Sequence, residues 1–245
     1  MGRAWTVCCA VVLAAACASN PLSRKYEYEE EVYVNLDGSA TVYVNAAVPA
    51  LVALRGAGLP LDPTARLDRQ EVRALFESPV ARVANVSTSR RDRRRYVHVR
   101  LDVPDIRRLS EAAMFAWSRY RFDVSSETAE YRQTVDGGAG REVGNVGWSG
   151  RELVGFKLHL PSRVTFHNSP SKEILRGNII VWEQALTDRQ KGTPLSIDVK
   201  MDSDSILANT LVLFGGMIVL VAITFVAFIW FIRSRGSDSE VRSEK

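Results

Sequence analysis

The chain has 245 residues, with 32 basic and 28 acidic side chains, a formal net charge of +4 and 46% hydrophobic residues. All three cysteines lie within the first 17 residues. Disulfide bonds, thiol nucleophiles and cysteine metal sites are therefore excluded from the rest of the chain. The part between the two terminal apolar segments, roughly residues 18 to 205, is long enough for one good core or two small ones.

The N-terminus has the pattern of an export signal. Arg3 gives a charged region, residues 7–16 an apolar region, and residues 14–16 the small side chains that precede a cleavage site. The apolar run is too short to span a bilayer stably. In bacterial lipoproteins the residue after the cleavage site is a cysteine, whose thiol accepts diacylglycerol. Cys17 follows three alanines, and Leu13 lies one place further upstream than in the usual lipoprotein pattern. We predict a signal peptide over residues 1–17 and lipidation at Cys17; an ordinary cleavage site with an incidental Cys17 is the alternative.

A hairpin and two short helices follow. The stretch YEYEEEVYVNLDGSATVYVN alternates in polarity on both sides of Asp37-Gly38, which predicts two strands joined by a turn. A helix is predicted from Pro49 to Gly56 or Gly58, since proline favours a first turn and glycine a helix end. A second helix begins at Asp68, which has capping-box spacing to Glu71.

The stretches VARVANVSTS and RYVHVRLDV predict a second hairpin, joined through SRRDRRR. In its second strand Val97, Val99, Leu101 and Val103 alternate with more polar residues, so one face is expected to be buried and the other wet. Ile106, Leu109, Ala113 and Trp117 then recur at helical spacing, which predicts a helix over this segment.

The second half of the chain is rich in strands. RYRFDV and AEYRQTV return to strand alternation, and ELVGFKLHL, RVTFH, NIIVWEQAL and PLSIDVKMD add four strand-like runs. Between them, residues 137–150 contain six glycines, which predicts a mobile loop or hairpin tip. Together these elements predict an α+β domain over residues 18–205, with a curved antiparallel β-sheet and a few short helices.

A transmembrane helix is predicted over residues 206–232. Residues 211–232 carry no charge, and at about 1.5 Å per residue they span a bilayer core. Arg233 and Arg235 follow this segment, whereas Asp202 and Asp204 precede it. The positive-inside rule therefore predicts a single-pass type I protein with a cytoplasmic tail over residues 233–245 and a periplasmic or extracellular domain.

Positive charge is concentrated in one region. Residues 66–121 contain fourteen arginines, no lysine and seven acidic residues. The predicted tip of the second hairpin carries five of these arginines, which are expected to contact anionic lipid headgroups near the membrane: Arg90, Arg91, Arg93, Arg94 and Arg95. A solvated turn is the alternative, and the excess of 26 arginines over 6 lysines in the whole chain is also consistent with coding bias.

Motifs for catalysis are missing from the sequence. His98, His159 and His167 fall on the polar positions of their strands and are expected to be exposed. Neither a nucleophile elbow nor a paired-acid or zincin motif is present, and the GAG within the glycine-rich segment is not followed by Lys-Ser/Thr. We therefore predict a non-catalytic protein with no cofactor and no metal site.

Three features together resemble the LppM-type family of bacterial membrane-anchored lipoproteins. These are the hairpin around NLDGSATVYV, the segment HN…GN.I.W over residues 167–182, and the signal with a single C-terminal helix. The resemblance implies an exported α+β domain similar to helix-grip lipid-binding folds, in which a curved sheet encloses an apolar cavity. It also implies binding of membrane lipids or glycolipids without catalysis.

The apolar strand positions predict where such a cavity lies. Its lining is expected between the sheet and the helix near residues 106–117, and the glycine-rich loop is the candidate lid. The predicted lining comprises Val97, Val99, Leu101, Phe156, Leu158 and Trp117, with Val103, Ile197 and Val199 also facing inward. Membrane lipids are the expected partners, and no nucleic acid is expected. A protein-interaction module of an envelope complex is the alternative function, and a hydrolase is the third.

Overall fold

The computed structural model describes residues 26–138, 140–204 and 206–240, and in the last segment it describes the side chains of residues 211–230. The predicted signal peptide, Cys17 and residues 241–245 of the tail lie outside the described residues.

The described strands are β1 Tyr28–Val34, β2 Ala40–Ala47, β3 Arg82–Arg91, β4 Arg94–Val103, β5 Ser118–Val124, β6 Thr128–Val135, β7 Leu153–His159, β8 Val164–His167, β9 Ile179–Ala185 and β10 Leu195–Asp202. The described helices are α1 Val48–Arg55, α2 Arg69–Phe76, α3 Leu186–Gln190 and α4 Ile206–Glu240, with 3₁₀ helices at Ile106–Glu111 and Ala113–Phe115.

The strands form two sheets, which confirms the α+β class. The larger sheet has the order β3-β4-β2-β1-β7-β9, and the smaller has the order β5-β6-β10-β8. Among the described strands, β1 and β7 pair in parallel and the other neighbours pair antiparallel. One antiparallel sheet was predicted instead. Local alternation identifies a strand but carries no information about its partner, so neither the division into two sheets nor the parallel pair could be predicted.

Both predicted hairpins and both early helices are confirmed. Gly38 has a φ of 87° in the first turn, and Asp92 and Arg93 have φ values of 50° and 61° at the tip of the second. Two successive positive φ values are typical of the tight turns that match strand twist. Gly56 ends α1 with a φ of 67°, and the Asp68 carboxylate caps α2 by accepting from the Gln70 amide at 2.7 Å.

The helix predicted over residues 106–117 is wrong. Two 3₁₀ helices occupy this segment instead. The reason is the distribution of apolar residues. Six of them are buried here, and at 3.6 residues per turn they would point in all directions around one α-helix: Ile106, Leu109, Ala112, Met114, Phe115 and Trp117. Two short 3₁₀ helices can bury all six side chains, whereas a straight α-helix could bury only those along one of its faces.

The two sheets pack around a buried carboxylate. Glu30, on β1, is 1% exposed. Its Oε1 accepts from the Tyr120 hydroxyl at 2.8 Å and from Gln133 Nε2 at 2.9 Å, and its Oε2 accepts from the Tyr28 hydroxyl at 3.2 Å. Tyr120 lies on β5 and Gln133 on β6. Glu30 therefore joins the larger sheet to the smaller sheet inside a continuous apolar core.

The domain has two opposite ends, which we call the tip end and the anchor end. At the tip end, the β3–β4 turn lies beside the point where the described chain enters, since Arg91 Nη2 donates to the Tyr26 carbonyl at 3.4 Å. At the anchor end, β10 finishes at Asp202, whose amide donates to the Arg163 carbonyl at 3.0 Å. The ten residues of β4 run from one end to the other, a length of roughly 30 Å.

Helix α4 follows the anchor end after residue 205. Its segment Leu211–Trp230 has 20 residues with a mean hydropathy of 2.8, and none of it is buried against the rest of the chain. This segment is long and apolar enough to cross a bilayer, which is compatible with membrane association.

Candidate functional site

The residues predicted to line an apolar cavity lie in the core. Their exposures run from 0% to 7%: Val97, Val99, Leu101, Phe156, Leu158 and Trp117. The Trp117 ring packs edge-on against Tyr28, with centroids 5.3 Å apart, and against Phe156 at 6.0 Å. The smaller sheet covers the apolar surface that the short helices were too small to cover. Because these side chains pack against one another, we place the candidate site elsewhere.

The five tip arginines fall into two groups. Arg91, Arg94 and Arg95 are partly or fully buried and hold neighbouring segments in place, whereas Arg90 and Arg93 are exposed. Arg95 donates to the Ala65 carbonyl at 2.7 Å and to the Pro60 carbonyl, and it thereby fixes residues 60–65 against the hairpin. The guanidinium of Arg91 lies 4.4 Å from the centre of the Tyr96 ring. Only part of this arginine cluster is therefore presented to solvent.

Arg94 connects the hairpin to the glycine-rich loop. It donates to Glu27 Oε1 at 2.6 Å, to the Gly147 carbonyl at 2.5 Å and to the Val146 carbonyl at 3.4 Å. Glu27 is 6% exposed and also accepts from the Trp148 indole at 3.2 Å. The loop therefore lies against the tip end, and its side chains Val143 and Trp148 pack against the core.

Gly138 holds the start of this loop close to α1. A Cβ at this position would lie 2.6 Å from the Leu54 carbonyl oxygen, so any larger side chain would push the loop away. The loop is thereby fixed near both of its ends by contacts with α1 and with Arg94.

These segments enclose a pocket of about 740 Å³, which we call the tip pocket. Its apolar lining comes from α1, the segment fixed by Arg95 and the glycine-rich loop, and consists of Val48, Pro49, Leu61, Pro63, Val143 and Val146. Its charged lining consists of three arginines and two acidic residues: Arg93, Arg94, Arg95, Asp62 and Asp92. A volume of this size is typical of small-molecule sites, as is a mainly apolar lining with a few charged groups.

A second depression lies on the other side of the segment fixed by Arg95, and we call it the arginine groove. It has a volume of about 880 Å³, and its lining includes the exposed Arg66, Arg69 and Arg90 and one acidic residue, Asp68. Arg95 lines both depressions. The tip end therefore places an apolar pocket beside a cationic groove.

The histidines do not form a site. His98 contacts Ser89 Oγ at 2.8 Å and Asn45 Oδ1 at 2.9 Å, and His159 contacts Glu31 at 2.5 Å. His98 and His159 are half-buried in cross-strand networks, and His167 is half-buried as well, so the expectation that the three histidines are exposed is wrong. Within the described ranges, no group of three or more His, Cys, Asp or Glu side chains could hold a metal ion.

Sequence reasoning identified the arginines but missed the other components of the tip end. Arg94 and Gly147 are 53 residues apart, and Glu27 and Trp148 are 121 residues apart. The composition of residues 137–150 was the local indication that this loop contributes to the site. A glycine-rich segment has few side chains and can therefore approach another backbone closely. Nothing in the sequence indicates which backbone it approaches.

Comparison with known proteins gives a weak structural neighbour. No protein-family model matches the sequence, and no curated protein matches it. Among solved structures, the chain is similar to the NMR structure of the folded domain of LppM from Mycobacterium tuberculosis, with 13% identity and a TM-score of 0.38. The match covers 76% of this chain and 95% of that one. The likeness is too weak to carry an argument about ligands or activity.

Proposed function

We propose that this protein is a non-catalytic, membrane-anchored envelope protein that binds an anionic lipid or glycolipid at its tip end. The observation that supports the proposal is the apolar tip pocket with an arginine margin. A molecule that fits both features has a hydrocarbon part and an anionic group. Membrane lipids and glycolipids with charged headgroups have this character.

In this proposal the tip pocket binds the hydrocarbon part of the lipid and the exposed arginines bind its headgroup. Each methylene buried in the tip pocket contributes about 0.8 kcal/mol. The headgroup is bound by exposed arginines, whose planar guanidinium groups match the geometry of phosphate and carboxylate. Arg93 at the turn and Arg90 in the groove are the best placed, since both are exposed, and Arg90 also donates to the Pro63 carbonyl at 3.0 Å. The headgroup role predicted for five arginines is thus proposed mainly for two.

Replacing Arg90 and Arg93 together by glutamine is expected to weaken binding of an anionic lipid. Each arginine contributes about 1 kcal/mol, so the double variant should bind roughly thirtyfold less tightly. The measurement is native mass spectrometry of the full-length protein in detergent, titrated with phosphatidylglycerol and, separately, with zwitterionic phosphatidylcholine. Binding of the zwitterionic lipid should change little.

A matched control removes two exposed arginines elsewhere on the domain. Arg121 and Arg176 are exposed and line neither the tip pocket nor the arginine groove, so their replacement by glutamine changes the net charge equally. This control should retain the affinity of the unchanged protein. Equal losses in both double variants would show a general charge effect and would contradict a site at the tip end.

The proposed location is the outer face of the cytoplasmic membrane, in type I orientation. We expect protease added to intact spheroplasts to digest residues 26–204 while an epitope fused to the C-terminus stays protected, because Arg233 and Arg235 favour the cytoplasmic side. Immunoblotting with an antibody to the domain measures the result. If the domain survives in intact spheroplasts and is digested only after lysis, the protein has the opposite orientation.

A further inference from the structure

A second cationic cluster lies inside the domain, away from the tip pocket. The guanidinium carbon of Arg55 lies 3.7 Å from the centre of the Trp117 ring, and that of Arg189 lies 5.2 Å from it. Arg189 is completely buried and Trp117 is 7% exposed. Two positively charged guanidinium groups therefore lie close to the same indole ring.

Several N–H donors in this cluster have no protein acceptor among the described residues. They are Nε and Nη2 of Arg55, Nε1 of Trp117 and Nε of Arg189, all of them buried. The remaining groups of Arg189 donate to the carbonyls of Val135 and Asp136 and to Gln184 Oε1. Buried donors without an acceptor are costly and rare, so four in one cluster point to an acceptor of another kind.

The charge around the cluster is unbalanced toward positive. Glu30 is a buried carboxylate whose charge attracts Arg55, but its oxygens accept from the neutral groups of Tyr28, Tyr120 and Gln133. Asp136 attracts Arg189 but is paired with Arg119 at 2.5 Å. Burial lowers the pKa of Arg189, and the charge of Arg55 lowers it further. Because guanidinium groups stay protonated in proteins, two buried positive charges face one buried carboxylate, Glu30, which leaves one positive charge without a buried counter-charge.

We infer that Arg55, Trp117 and Arg189 form an internal binding site for a small monovalent anion of halide size. The site offers only N–H donors, which suits an anion and not a cation. The Arg55 guanidinium lies 5.8 Å from the ring centre of Phe115, which is completely buried, so the site lies inside the core, where only a small ion is expected to enter. This site is independent of lipid binding at the tip end.

The inference is tested by thermal unfolding of the full-length protein in detergent. Sodium chloride is compared with sodium gluconate at equal ionic strength, since gluconate is too large for the core. We expect the Tm to rise by several degrees with chloride and to level off at high concentration, as for a ligand that binds the folded state. An identical Tm in both salts would overturn the inference and leave ordered water as the acceptor.

Two variants connect the effect to the cluster. Arg55→Met keeps a chain over the indole but removes one charge and two of the four donors, and it should abolish the chloride dependence. Trp117→Phe keeps an aromatic ring but removes one donor, and it should shift the chloride midpoint to severalfold higher concentration, a readout that remains if Arg55→Met fails to fold. Arg176→Gln, at the surface and outside both depressions of the tip end, should behave like the unchanged protein. Full chloride dependence in Trp117→Phe, or in a folded Arg55→Met, would contradict the assignment.

Discussion

Replacement of Glu30 by alanine is expected to lower the free energy of unfolding by about 3–5 kcal/mol. The change leaves the hydroxyls of Tyr28 and Tyr120 and the amide of Gln133 without their acceptor inside the core. It also removes the buried negative charge nearest to Arg55. Both effects act between the two sheets, so the loss should appear in the cooperative unfolding of the whole domain, measured by circular dichroism with increasing denaturant.

The neighbouring residue provides a matched control. Glu31 lies on the same strand but on the opposite face of the sheet, where it contacts His159 at 2.5 Å and its side chain is 19% exposed. Glu31→Ala should cost about 1 kcal/mol, as is usual for a pair near the surface. Equal losses for the two variants would show that Glu30 is not the link between the sheets.

Acylation of Cys17 is expected to decide how far the tip end lies from the membrane. The described chain enters at the tip end and leaves at the anchor end, and the ends are separated by roughly 30 Å. The segment between Cys17 and Tyr26 can extend at most about 30 Å. A lipid on Cys17 together with α4 would hold both ends at the bilayer, whereas α4 alone would leave the tip end free to move away from it.

The measurement is energy transfer from a dye on the protein to headgroup-labelled lipid in liposomes. Residues 26–204 contain no cysteine, so Thr64→Cys places a single dye on the exposed segment beside the tip pocket. We expect strong transfer from acylated protein and a large decrease when Cys17→Ser removes the attachment point. A dye at Ser126→Cys, in the turn next to Ser203 at the anchor end, should report the same proximity in both proteins. An unchanged signal from position 64 would contradict the two-anchor arrangement.

The hairpins were predictable because each is encoded by neighbouring residues. Alternating side chains in β4 put Val97, Val99 and Leu101 on one face, and aspartate, found at position 92, is among the residue types that tolerate the positive φ of such a turn. The same local rules identified the start of α2 at Asp68 and the end of α1 at Gly56. The rules failed between Ile106 and Trp117, where the segment has to bury side chains in several directions.

The sequence by itself determined the strands, the caps of the early helices, the apolar C-terminal helix and the concentration of arginine near the second hairpin. Only the tertiary structure decided that Glu30 lies between two sheets, that Arg94 binds the loop at Gly147, and that the apolar lining of a pocket comes from three distant segments. The physical reason is the distance along the chain over which each kind of interaction acts. Periodicity and turn chemistry act over a few residues, whereas the pairing of β1 with β7 and the contacts of Arg94 are selected by the packing of the whole domain.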